Sequence, residues 1–167
     1  LTNDKAQQLQ LDTIDRGYNN FQARIWYEQS RGQKRKLVVI KDDASDWKGW
    51  VYELRVEWDG EKEHILTKTV KEVVPKSGWN HFMKRLIDLR VTTLPDMYAI
   101  EELVDNWKDG HSYSVEIASK NQYRYYTYHV PEEFQQYEET RDMSAIIDLL
   151  KEELAVERID TYARLVH

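Results

Sequence analysis

The side chains with the most chemistry at close spacing are Ser114, Glu116, Tyr123, Tyr125, Thr127 and His129. They occupy alternate positions of two segments, residues 112–118 and 122–130, rich in β-branched and aromatic residues and joined by the polar stretch Ser119-Lys120-Asn121. Such segments favour a pleated, half-buried surface, and the polar stretch supplies a turn. Closing the hairpin on Lys120 and Asn121 sets Tyr113 opposite Tyr128, Val115 opposite Tyr126 and Ile117 opposite Arg124. A one-residue slip would scatter these apolar residues over both faces. The opposite face then carries hydroxyls, one carboxylate and one imidazole, and Glu116, Tyr123, Tyr125 and His129 are its candidate binding residues. Tyrosines offer flat apolar area with a polar tip and little rotamer entropy, a combination favoured in recognition. If the N-terminal segment or the last helix covers this face, the hairpin is scaffold, and the site is to be sought in loops near Trp47, Asp96 and Asp109.

Other chemistries find little support. The chain has no cysteine, so disulfides, thiolate catalysis and cysteine-ligated metals are excluded. With 6 glycines and no Gly-x-Ser-x-Gly elbow, neither a phosphate-cradling loop nor a serine-hydrolase turn is present, and no cofactor is expected. His64, His81, His111, His129 and His167 show no pair spaced as ligands on one element, so no metal is expected. The run Asp42-Asp43-Ala44-Ser45-Asp46-Trp47-Lys48-Gly49 lacks the alternating ligands and terminal glutamate of an EF-hand and reads as a hydrated turn. A formal charge of −6 opposes nucleic-acid binding, and the basic stretch from Arg31 to Lys36 reads as a solvated hairpin loop.

At 167 residues the chain fits one domain, 1–167, with residues 1–20 a loosely attached N-terminal helix or tail. Phe21, Ala23, Ile25 and Tyr27 alternate with mainly polar neighbours, predicting a strand with one buried face. Residues 36–41 form a shorter apolar strand. Trp50, Tyr52, Leu54, Val56 and Trp58 point inward from the next, with Glu53, Arg55 and Glu57 outward. Asp59-Gly60 suits a type I′ turn into a fourth strand from His64 to Val74, which Pro75 ends. Trp79, Phe82, Met83, Leu86 and Ile87 recur as a helix face with Ser77 as N-cap; Met143, Ile146, Ile147, Leu150 and Leu154 mark another. Residues 100–107 are ambiguous. Four strands, a helix, two strands and a helix predict an α+β fold: one antiparallel sheet of about six strands with helices on one face.

The spaced elements Pro75-Lys76-Ser77-Gly78-Trp79, Leu94-Pro95-Asp96, Asp109-Gly110-His111-Ser112-Tyr113 with Glu116, and Tyr123-Arg124-Tyr125-Tyr126-Thr127-Tyr128 with Pro131-Glu132 resemble a family of small bacterial secreted or lipid-anchored proteins of unknown activity. The resemblance covers much of the chain from Trp26 to Glu132. It implies an extracytoplasmic location (periplasm or cell envelope), and Leu1 in place of Met would fit a removed signal with a lipidated cysteine upstream. The expected function is an exported, non-enzymatic binding module for a protein or small-molecule ligand, with a membrane tether expected through a missing N-terminus. Two alternatives stay open. One is a small acidic cytoplasmic inhibitor or immunity-type protein steered electrostatically to a basic partner. The other is an acid/base enzyme using Glu116, Tyr125 and His129.

Overall fold

A computed structural model describes residues 2–44, 46–104 and 109–159. Six antiparallel strands, β1 (Phe21–Gln29), β2 (Lys34–Asp42), β3 (Trp47–Trp58), β4 (Glu63–Val73), β5 (His111–Ser119) and β6 (Gln122–His129), form one sheet in the order β4-β3-β2-β1-β5-β6. Among the described residues three α-helices accompany it: α1 (Thr2–Gln8), α2 (Trp79–Asp88) and α3 (Glu138–Leu154). The fold is therefore α+β with a single antiparallel sheet. The β1–β4 meander runs outward to the β4 edge; the chain then returns through α2 and two 3-10 turns, Met97–Ala99 and Glu101–Leu103, to add the β5–β6 hairpin beside β1.

The main core lies on one face. Ala23, Ile25 and Tyr27 of β1, Val38 and Ile40 of β2, and Tyr113, Val115, Ile117, Tyr126 and Tyr128 of the hairpin pack against Phe82, Met83 and Leu86 of α2 and Met143, Ile146, Ile147, Leu150 and Leu154 of α3. The two longer helices thus share this face. Their ends are tied together by Glu153, whose carboxylate accepts from the Ser77 backbone N–H at 2.8 Å and from Arg85 at 3.2 Å. Ser77 is consequently not the N-cap of α2; Gly78 is, with φ 84° and no capping side chain. Ile87, read as part of the buried stripe, is exposed, because only the Phe82–Leu86 side of this short helix meets the sheet.

The opposite face carries a smaller cluster. Ala6 of α1 and Leu9 just beyond it cover Trp26 of β1, Leu37 and Val39 of β2, and Leu54 and Val56 of β3. Strand β1 is therefore buried on both faces, contrary to the single buried face read from its alternation: Gln22, Arg24 and Trp26 lie under the N-terminal segment. The outward positions Glu53, Arg55 and Glu57 of β3 are exposed as expected, and Leu54 and Val56 are buried, while Trp50 and Tyr52 are half-buried. Trp58 has the inward parity yet is 60% exposed, because at this end α1 brings the charged Lys5, paired with Glu28 and Glu63, and not an apolar cover. A register shift between Arg55 and Val56 also intervenes.

Turn chemistry follows the residues with one change. Lys120 and Asn121 alone join β5 to β6, with Asn121 at φ 58°. The β3–β4 loop is longer than a two-residue type I′ turn: Asp59 accepts from the backbone N–H groups of Glu61 and Lys62, both at 2.9 Å, and Gly60 takes φ 101°. Residues 43–46 separate β2 from β3, and Ser45 lies outside the described residues, as do residues 105–107 of the ambiguous 100–107 stretch.

Candidate functional site

The hairpin register is Tyr113 opposite Tyr128, Val115 opposite Tyr126 and Ile117 opposite Arg124, so the predicted polar face exists as drawn. Cross-strand order on this face runs Arg24, Glu116, Tyr125 in one row; Trp26, Ser114, Thr127 in the next; Glu28, Ser112, His129 in the third. Its four candidate residues divide into separate groups.

Glu116 is fully buried. One carboxylate oxygen accepts from Trp26 Nε1 at 2.7 Å and the other from the Tyr123 hydroxyl at 2.9 Å. Burial, and then the charge of Glu116, push the Tyr123 phenol pKa well above its usual range, so Tyr123 stays a donor. Arg24, also buried, donates to the Asp12 backbone carbonyl at 2.5 Å; with its amide oxygen turned to the guanidinium, Gln22 accepts from Arg24 Nε at 3.0 Å. Burial lowers the Arg24 pKa, and the charges of Glu116 and Asp12 oppose that shift. These bonds compensate a costly desolvation.

The second group is a triangle of hydroxyls anchored on a carboxylate. Thr127 Oγ1 donates to the Tyr125 hydroxyl at 3.0 Å, Tyr125 donates to Ser114 Oγ at 3.2 Å, and Ser114 donates to Glu28 Oε2 at 3.2 Å. Ser114 Oγ and Thr127 Oγ1 are themselves 3.1 Å apart, and Tyr125 is held although 47% of its surface is in water. Glu28 also bonds the Lys5 ammonium, which in turn lies 3.0 Å from Glu63; Arg35 meets Glu63 at 2.5 Å. Lys5 and Arg35 are buried.

His129 belongs to neither group. It packs edge-on to Tyr98 with centroids 5.9 Å apart, and burial lowers its imidazole pKa against the opposing charges of Asp96 and Glu28. It lines a cleft of about 220 Å³ with Lys5, Glu28, Arg35, Trp58 and Glu63. Arg35 Nε and Glu63 Oε2 are buried beside it without a hydrogen-bond partner, Glu63 being met there by the Lys5 ammonium. The arrangement offers a fixed ion-pair floor and an aromatic rim at Trp58 and His129. Glu116, Tyr125 and His129 do not converge: Glu116 is sealed, and His129 stands two rows away from it.

Sequence reasoning missed Lys5, Glu28, Arg35, Trp58 and Glu63. Glu28 alone had a signal, as the outward parity of β1 aligned with Ser112 across the strands. A second cluster unites distant segments on the other face: His111 contacts Glu132 at 2.9 Å, and Arg158 bonds Glu132 and, at 2.8 Å, Asp148. A broad depression of about 700 Å³ lies between Asp42, Asp46 and the start of α2, where Trp47 stacks on Trp79 at 6.4 Å. Among the described residues no group of three His, Asp or Glu side chains is placed to hold a metal ion, and no helix is long and apolar enough to cross a membrane. No protein-family model matches the chain, and no curated protein matches it.

Proposed function

We propose that this chain is a non-enzymatic binding module that takes a partner on the open half of its second sheet face, at the cleft between Trp58 and His129. The observation that carries this reading is the unequal cover of that face. Residues of α1 and the turn after it pack over β1, β2 and β3, and the β5–β6 half bears Tyr125 half-exposed on a hydrogen-bonded hydroxyl. A rigid, part-exposed aromatic beside a desolvated polar pocket loses little entropy on binding. The cationic side chains of Lys5 and Arg35 in the lining of the cleft favour a ligand with an acceptor oxygen, such as a peptide carboxylate or amide, whose apolar part rests on Trp58. The resemblance to exported proteins supports an extracytoplasmic setting as part of the same proposal.

The test is a selection of short peptides from a random display library against the whole chain, followed by titration of the selected peptides. Trp58→Ala and Tyr125→Ala should each abolish binding of the selected peptides, and amide shifts should map to residues 28–35, 58 and 123–129. Peptides that bind both variants as well as they bind the parent chain would place the partner elsewhere.

A further inference from the structure

Each edge of the sheet is capped over part of its length. On β6, the outward N–H of Thr127 donates to Asp96 Oδ2 at 2.9 Å and that of His129 to Met97 Sδ at 3.2 Å, so the segment after α2 caps the end of this edge. On β4 the capping stops early. Gln8 accepts from the Ile65 N–H at 2.9 Å and donates to the Glu63 carbonyl at 3.0 Å, and beyond Ile65 no described residue bonds the strand from outside. Residues 66–72 are exposed, and Leu66, Val70 and Val74 are large apolar side chains among them or just after. Unpaired strand edges of this kind template further pairing.

The geometry of the sheet says which groups are free. Val56 N donates to Gln33 O on the β2 side, so the alternate residues Val51, Glu53 and Arg55 face β4 and pair with Lys71, Thr69 and Thr67. Lys68, Val70 and Glu72 therefore turn their backbone N–H and C=O groups outward. Their side chains share a face with Leu54, Tyr52 and Trp50.

We propose that the β4 edge pairs with β4 of a second copy of this chain, antiparallel about a twofold axis at Val70. That register sets Val70 against Val70 and Lys68 against Glu72 twice, all within Thr67–Val73, the part of β4 beyond the irregularity at Leu66. The alternatives are worse. Centring on Lys68 or Lys71 opposes a lysine to its own copy, and centring on Thr69 sets Lys68 against Val70 and leaves Glu72 opposite no lysine. Opposite residues in an antiparallel pair must both turn their backbone groups inward or both outward, which excludes registers centred between residues. Lysines on an edge strand ordinarily discourage pairing. Here each Lys68 meets a carboxylate, and Lys71 meets Thr69. The self-complementary order Lys68, Val70, Glu72 is what favours a second copy over an unrelated strand.

Sedimentation equilibrium of the whole chain up to its solubility limit tests this. The parent chain should show a reversible dimer. Glu72→Lys replaces both Lys–Glu contacts by Lys–Lys contacts and should weaken it by about tenfold or more. The swap Lys68→Glu with Glu72→Lys should restore it. Val70→Pro removes an outward N–H and no bond to β3, so it should give a monomer with an unchanged circular dichroism spectrum. A parent chain that is monomeric at every concentration overturns the proposal. So does a dimer that survives Val70→Pro, or one that the charge swap fails to restore.

Discussion

Tyr125 and Tyr126 are chain neighbours on opposite faces of one strand, and replacing each by alanine measures what each face is for. Tyr126 is 1% exposed, donates to the Val91 carbonyl at 2.7 Å and meets Tyr128 edge-on at 6.0 Å. Its removal opens a cavity in the main core and should cost about 3–5 kcal/mol, the range for a buried aromatic. Tyr125 keeps 47% of its surface in water, so about half the transfer term is absent from the start. Losing the rest, with the part-exposed hydroxyl links to Ser114 and Thr127, should cost about 1–2 kcal/mol. Urea unfolding followed by tryptophan fluorescence gives both values if the denaturant slopes agree. Equal losses, or a larger loss for Tyr125, would refute the reasoning, since Tyr125 would then be a core residue and not a presented one. With the selected peptides added, only Tyr125→Ala should have lost their binding.

Leu54→Ala should cost about 2–5 kcal/mol and Trp58→Ala under about 0.5 kcal/mol, since Leu54 is buried under α1 and Trp58 stands in water; comparable unfolding losses would show the end of β3 to be misplaced. Tyr123→Phe leaves one Glu116 oxygen buried without its donor and should cost about 1–3 kcal/mol, measured by the same unfolding, whereas a neutral result would mean that water replaces the hydroxyl. Acid should destabilise in two steps. Burial lowers the folded His129 pKa below its ordinary 6.5, so the unfolded chain takes up that proton first; the stabilisation is full above 6.5 and is lost as pH falls from there through the folded value. For Glu132, burial alone would raise the pKa, but the His111 hydrogen bond, its own backbone N–H and Arg158 outweigh it and set it below 4.5; that contribution is full above 4.5 and is lost as pH falls through the folded value. His129→Asn should flatten the upper step of a stability–pH curve and leave the lower one; an unaltered curve would count against the first assignment.

Local alternation and turn residues were sufficient for the hairpin. Tyr113, Val115, Ile117, Tyr126 and Tyr128 could share one face in a single register, and Lys120-Asn121 closes it. The α3 stripe from Met143 to Leu154 was legible for the same reason, since a helix of that length repeats its period often enough to be read. What lies on the second face was not legible. Gln22, Arg24 and Glu116 have the composition of a wet face, and nothing in their own segments signals that α1 and the loop through Asp12 will cover them. Trp58 shows the converse: its parity is that of a core residue, but burial depends on what the covering element brings there, and α1 brings the charged Lys5 and not an apolar side chain. The site divides along the same line. The accessible ring of Tyr125 and its hydroxyl neighbours follow from strand alternation, a local property. The separation of Glu116 from His129, and the meeting of Lys5, Glu28, Arg35 and Glu63 beneath Trp58, depend on contacts between segments far apart in the chain, which only tertiary packing decides.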